Sequence, residues 1–286
     1  MRGAKPLAAL EAAVARKVTA GRGEVLLAAV SGGADSAALA ALLARTAGRA
    51  GARLVLAHVN HALRASAWQD EAVVLSLGAT LGARVVCVSL PPGSRAEVRL
   101  RRERYRALGR IAREAGAARI FTAHHAADQT ETVLLALFRG TGPAGLCGMP
   151  AVRELEAGLD LVRPLLSIEP AALRAYCSAL HLPFALDPSN LDLGYRRNAV
   201  RAFLPALREA FPHLDAAVAR CASILEDERA GSVTAGLRAR LRAELVATSG
   251  DALDVTFERL DAAARAIQRS GCGRHFLRRG LEVIIK

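Results

Sequence analysis

An α/β fold with a parallel, doubly wound sheet and a small C-terminal helical domain is what this sequence predicts, on three observations. Short apolar runs alternate with longer helical patterns through the first half of the chain. Those runs are rich in Val, Leu and Ala, as strands covered on both faces must be. The chain is 52% hydrophobic but only 4% aromatic, so small aliphatic side chains have to build the core.

The strands expected in order are Glu24–Val30, Arg53–Val59, Arg84–Leu90 and Ala118–Ala123, each short and bounded by turn or polar residues. Between and after them, helices are expected over Ser36–Thr46, Ala67–Leu81, Ala96–Ala115 and Asp128–Phe138. This alternation implies parallel strands joined by helical crossovers, with ligands bound beyond the carboxyl ends of the strands. The Gly- and Pro-rich stretch Arg139–Pro150 reads as an ordered loop. A short apolar run (Leu159–Leu166) and a helix near Pro170–Leu180 follow. Asp187-Pro188-Ser189-Asn190 marks a turn and a helix start. Two helices are split at Phe211-Pro212, beyond which the pattern is helical and arginine-rich. A catalytic domain over residues 1–212 and a helical domain over residues 213–286 are therefore expected.

The formal net charge is +12, and the only lysines are Lys5, Lys17 and Lys286. A positive field of this size, carried by arginine, favours a polyanionic partner. Five cysteines (Cys87, Cys147, Cys177, Cys221 and Cys272) include no C-x-x-C pair. Zinc-ribbon and iron–sulfur spacings are thus absent, and free thiols in a reducing compartment are expected. The N-terminus lacks the uninterrupted apolar core of a secretory leader. The apolar stretch around residues 25–44 carries Asp35 and several glycines, so it is no membrane span. The expected location is cytoplasmic.

The sharpest motif is Val30-Ser31-Gly32-Gly33-Ala34-Asp35-Ser36, between the first strand and the first helix. Adjacent glycines let backbone N–H groups approach a phosphate, Ser31 and Ser36 add hydroxyl donors, and the helix dipole faces the anion. Asp35 would be repelled by bare phosphate and is expected to act through Mg²⁺. No G-x-x-x-x-G-K-[ST] is present, so a Walker-type NTPase is not supported. His58-Val59-Asn60-His61-Ala62-Leu63-Arg64 follows the second strand. Glu97, Arg101, Arg104 and Tyr105 share a helix, with Arg101 and Tyr105 as i,i+4 neighbours. His124-His125-Ala126-Ala127-Asp128-Gln129-Thr130-Glu131-Thr132 opens a further helix; Asp128 and Glu131 share one face of it and are able to hold an amine or a metal. Asp128 also reads as the N-cap of that helix, with Glu131 at its third position. A third block joins Asp187–Asp192 to Tyr195-Arg196-Arg197-Asn198-Ala199-Val200-Arg201.

The loop Ser31–Ser36 resembles the PP-loop of the N-type ATP pyrophosphatases, of the adenine nucleotide alpha hydrolase-like fold. The later motifs, with Arg163-Pro164-Leu165-Leu166 and Arg139-Gly140-Thr141-Gly142, are similar to those of the tRNA(Ile)-lysidine synthetase family. That resemblance covers about residues 20–230; residues 231–286 match poorly, and Leu100 departs from the usual small residue at its place. It implies a ligase that adenylates the wobble cytidine of the CAU anticodon of tRNA(Ile) with ATP. L-lysine is then joined to C2, giving lysidine, AMP and diphosphate. ATP with Mg²⁺ at Asp35 is implied at Ser31, Gly32, Gly33, Ala34, Asp35, Ser36, His58, Asn60 and Arg101. Lysine is implied at Asp128, Glu131 and Arg197. The tRNA is implied at Arg104, Arg139 and Arg201, and His124 and His125 at the reaction centre. Asp35, Asp128, Arg197 and His124 are the expected catalytic residues. A membrane partner is not expected, and a homodimer is compatible with the sequence. The rival readings are a PP-loop tRNA thiolase, disfavoured by the isolated cysteines, and a non-catalytic nucleotide-sensing RNA-binding module.

Overall fold

The computed structural model describes residues 4–60, 67–90, 97–185, 196–249, 257–270, 273–278 and 281–285. The chain forms two compact units, Met1–Leu135 with Met149–Ala219 and Ala136–Gly148 with Arg220–Lys286.

The first unit is built on a six-stranded sheet. Its strands are β1 (Val25–Ala29), β2 (Arg53–Asn60), β3 (Arg84–Ser89), β4 (Arg119–Phe121), β5 (Val152–Glu156) and β6 (Leu159–Val162), in the order β3-β2-β1-β4-β6-β5. All neighbours pair in parallel except β5, an antiparallel edge strand on β6. The chain winds outward from β1 through β2 to β3, then returns to place β4 on the other side of β1. The carboxyl ends of β1 and β4 therefore flank the switch point, where such sheets open a binding crevice.

Side chains alternate across β1. Leu26 and Ala28 join a core with helix α1 (Ala4–Ala15), α2 (Ala34–Ala50) and α7 (Pro170–Ala179); Val25 and Leu27 join another with α4 (Glu97–Ala115). Residues 36–43 of α2 are all buried, and the alanines among them let that helix lie close to the strands. α3 (Ala67–Leu81) links β2 to β3, and α5 (Ala126–Phe138) follows β4.

The four expected strands and four expected helices of the first half are all present. α5 begins two residues before the expected start, for a reason that lies in its cap. Two further elements had no clear signal. α1 is Ala-rich with little polar contrast, and β5 reads Val-Arg-Glu-Leu-Glu, an edge strand whose charges blunt further pairing. The Gly/Pro stretch includes the one-turn helix α6 (Pro143–Leu146). α8 (Arg196–Ala210) and α9 (Leu214–Arg229) are separated at the expected Phe211-Pro212 break.

In the second unit α10 (Val233–Ser249) and α11 (Phe257–Ser270) enclose a small core of Leu241, Leu245, Leu260, Ala263 and Ala264. Arg238 is buried and donates to Asp227 at 3.1 Å and to Asp261 at 2.5 Å. This tail is not wholly helical: β7 (Gly273–Arg278) and β8 (Leu281–Ile285) close it as an antiparallel hairpin. Among the described residues, no helix is long and apolar enough to cross a membrane.

Candidate active site

The loop after β1 is held open by its own hydroxyls. Ser36 Oγ donates to Gly33 O at 2.9 Å and accepts from Ser31 N–H at 3.2 Å, and the Ser31 and Ser36 hydroxyl oxygens are 3.2 Å apart. Gly32 has φ +95, a left-handed conformation that favours glycine, and Asp70 packs 3.4 Å from where a Cβ would stand. Its carbonyl accepts from Ala185 N–H at 2.8 Å, which anchors the loop from the segment after α7. Gly33 is the N-cap of α2 and contributes no side-chain cap. The first N–H groups of α2 have no partner within the helix, as at any helix start, and gather at an anion-binding end.

Asp35, in the first turn of α2, keeps Oδ1 buried without a hydrogen-bond partner. Its Oδ2 lies 3.4 Å from His125 Nε2, and His125 Nδ1 lies 3.5 Å from Asp128 Oδ2. His125 thus bridges the motif after β1 to the motif after β4. Burial pushes its pKa down, but the Asp35 contact and the charges of Asp128 and Asp35 outweigh this and raise it. Burial would raise Asp128; His125, His124, the His125 N–H and Arg197 reverse that and hold it below the usual carboxylate range. His124 Nδ1 is 2.9 Å from Thr122 Oγ1. Burial brings its pKa down to about 3, against the pull of Asp128 and aided by Arg163, Arg104 and Arg197, so this imidazole is neutral at physiological pH. On β2, buried His58 sets Nδ1 2.9 Å from Val30 O, the carbonyl just before the loop, and leaves Nε2 without a partner. Asn60, at the end of the same strand, accepts Leu90 N–H through its carbonyl at 2.8 Å.

Asp128 is not the N-cap. α5 starts at Ala126, so Asp128 stands at the third helical position and its Oδ2 reaches back to the His125 N–H at 3.0 Å. This is the carboxylate half of a capping box. Glu131 is therefore released from capping, and α8 claims it. Arg197 Nε donates to Glu131 Oε2 at 2.7 Å and Arg201 Nε to Oε1 at 2.5 Å. Arg201 Nη2 is also 3.5 Å from Asp128 Oδ1, and Arg197 Nη2 donates to Thr132 Oγ1 at 3.2 Å. About two turns along the same face, Arg208 forks onto Asp215 at 2.7 and 3.1 Å; Asp215 in turn accepts from Thr130 Oγ1 at 2.5 Å. Arg208, Asp215 and Thr130 were not expected at the site. Their only sequence signal is the spacing 197, 201, 208, which places three arginines on one stripe of α8.

Arg101 and Arg104 lie on α4 against Tyr105, with guanidinium carbons 5.6 and 5.4 Å from the ring centroid. Arg153 on β5, which no motif marked, stacks there at 5.5 Å. Arg139 is an exposed residue of the second unit, just after α5. His61, Arg64, the block Asp187–Tyr195 and the side chain of Glu97 lie outside the described residues. No group of three or more metal-ligating side chains occurs among the described residues.

Residues 8–207 match the PP-loop domain family. The chain belongs to that family. It is 41% identical over 224 residues to the tRNA(Ile)-lysidine synthase of Ralstonia nicotianae, covering 76% of this chain and 48% of that protein. It is 44% identical over 227 residues to the tRNA(Ile)-lysidine synthase of Salinispora tropica, covering 74% and 67%. For the protein of that name from Gloeobacter violaceus the identity is 41% over 210 residues, covering 72% and 64%. The matched region thus spans about half to two thirds of the length of these curated relatives. Among solved structures, the U34-tRNA thiolase NcsA from Methanococcus maripaludis is similar with a TM-score of 0.65 at 16% identity, over 76% of this chain and 77% of that one. That likeness concerns the PP-loop fold alone.

Proposed function

We propose that this PP-loop protein ligates L-lysine to C2 of the wobble cytidine in the CAU anticodon of tRNA(Ile), through an adenylated cytidine. The observation that carries the reading is the His125 bridge, which couples the phosphate cradle at Asp35 to the carboxylate at Asp128 across the switch point. Adenylation and amine attack must occur on one base, so their two sites have to adjoin. The similarity to tRNA(Ile)-lysidine synthases and the +12 charge support the same substrates.

ATP binds with its phosphates on the N–H groups and hydroxyls of Ser31–Ser36. Asp35 Oδ1, buried and without a partner, fits a hard divalent cation, and Mg²⁺ there would offset negative charge on the phosphates. Cytidine O2 attacks the α-phosphorus, and the bond to the diphosphate breaks. The lysine ε-amine then attacks C2, AMP leaves with O2, and the amine gives up a proton. Glu131 grips Arg197 and Arg201 at 2.7 and 2.5 Å, whereas those guanidinium groups stand off Asp128 Oδ1 at 4.0 and 3.5 Å, so Asp128 is the carboxylate better placed to meet the lysine ammonium, and Glu131 acts by holding Arg197 beside it. Neutral His124 adds no positive charge to repel an incoming ammonium.

The test is incubation with ATP, radiolabelled lysine and a CAU-anticodon tRNA(Ile) transcript, reading label in RNA and the nucleotide product. Label in RNA with AMP is expected; ADP, or label independent of the transcript, sinks the reading. Asp35→Ala should lower ATP–diphosphate exchange by about 100-fold or more. Asp128→Ala should raise the lysine KM by about tenfold, the worth of one charged hydrogen bond, with ATP binding retained.

A further inference from the structure

Between Asp128 and Glu131 stand two polar residues, Gln129 and Thr130, that the reaction proposed above does not use. Gln129 is 7% exposed and Thr130 is fully buried. At about 100° per residue, Glu131, Asp128 and Thr132 fall on one side of α5, and Gln129 and Thr130 fall on the other. The first side meets His125 and the arginines of α8. The second side is gripped by the rest of the first unit. Thr130 Oγ1 donates to Asp215 of α9 at 2.5 Å. The Gln129 side chain takes both backbone groups of one residue: its Oε1 accepts Met149 N–H at 2.8 Å, and its Nε2 donates to Met149 O at 3.2 Å.

Met149 is a fixed point. It is where the chain returns to the first unit after the Gly/Pro stretch, and it is buried. The next two carbonyls are also held: Pro150 O accepts from Arg163 Nη1 at 2.7 Å, and Ala151 O accepts from Arg163 N–H at 2.8 Å. Arg163 directly follows β6, so Gln129 ties the first turn of α5 to the edge of the sheet. A carboxamide suits this place because it offers one donor and one acceptor, as a peptide group does. A carboxylate would set an oxygen against Met149 O, and an alkyl chain would leave both Met149 groups unsatisfied.

The direction of Asp128 depends on the rotation of α5. A side-chain tip lies about 5–6 Å from a helix axis, so a rotation of about 20° moves it by about 2 Å. That is enough to break a hydrogen bond. Asp128 caps α5 through Oδ2, the oxygen that also lies near His125 Nδ1. A cap made by the residue being aimed cannot by itself fix the aim; a grip on the opposite face can.

We propose that Gln129 is a positioning residue: its clamp on Met149 fixes the rotation of α5 and so aims Asp128 at the incoming amine. The clamp stands on geometry alone, and only the naming of the amine as lysine rests on the reading above.

Met1 and Met149 are the two methionines of the chain, so [15N]methionine labelling of the full protein leaves Met149 as the one internal amide to follow. Its hydrogen exchange by NMR reads the clamp directly. In the wild type this exchange should be slow, and in Gln129→Leu it should be about tenfold faster or more. Equilibrium dialysis with radiolabelled lysine, which needs no turnover, should show the lysine Kd raised by about tenfold in the same variant. ATP affinity should stay within about twofold, since the Ser31–Ser36 loop does not touch Gln129. Gln129→Glu keeps the acceptor for the Met149 N–H; it carries the test if Gln129→Leu does not fold, with a lysine Kd raised by about threefold. Rapid Met149 exchange in the wild type overturns the proposal. So does a variant with a labile Met149 amide and unchanged lysine affinity, or one that loses ATP and lysine affinity equally. A wild type that neither binds nor transfers lysine removes the reaction proposed above, whereas the Met149 exchange of the variants still decides the clamp.

Discussion

The arginines of α8 and those around Tyr105 are alike in residue type and opposite in circumstance. On α8, Arg197 and Arg201 share Glu131, and Arg208 grips Asp215, so each positive charge is met by a buried or nearly buried carboxylate. Around Tyr105, three guanidinium groups meet a ring instead. Arginines paired with carboxylates inside the protein hold elements together; those against Tyr105 are held by a ring face, a weaker tie. The first group ties α8 to α5 through Glu131, and the second packs guanidinium groups on the Tyr105 ring.

That contrast can be broken by removing one carboxylate or one arginine at a time. Glu131→Ala removes the buried carboxylate that Arg197 and Arg201 share and should destabilise the fold by about 3 kcal/mol in urea denaturation. A loss below about 1 kcal/mol would mean that the α8 arginines are merely solvated. Asp215→Asn keeps the shape but loses the charge that the Arg208 fork grips, and a loss of about 2 kcal/mol is expected by the same measurement. Arg153→Gln should change stability by no more than about 0.5 kcal/mol, since no carboxylate depends on it; a large loss would place it with the structural arginines.

His124 feels arginines of both groups: burial is the largest influence on its pKa, Asp128 pulls it up, and Arg163, Arg104 and Arg197 push it down. Its folded pKa of about 3 is below the ordinary 6.5, so the unfolded chain binds the extra proton first. Its contribution to stability is whole above 6.5 and is lost as the pH falls toward 3. Melting temperatures of His124→Gln should therefore decline less than those of the wild type between pH 6.5 and 4.5. An identical decline would show that another group governs the acid limb.

Much of the fold was legible because its signals are local. β1 to β3 announce themselves as apolar runs, and the loop Ser31–Ser36 combines glycines, hydroxyls and a helix start within six residues of sequence. The partners of Asp128 and Glu131 were not legible. Both carboxylates belong on one helix face by spacing, but which of them caps the helix depends on where α5 starts, and which of them holds arginines depends on α8, some 70 residues away. β5 and Arg153 were hidden for a related reason: a charged edge strand has neither the apolar run nor the alternation that marks a buried one.

From the sequence alone came the parallel α/β architecture, the phosphate-binding turn and the family resemblance, because backbone conformation and hydrophobic period are written in neighbouring residues. Tertiary structure alone decided that His125 joins Asp35 to Asp128, that Glu131 belongs to α8, and that three arginines meet the Tyr105 ring. Charges act through space over a few ångströms, and only the folded chain sets which of them lie that close.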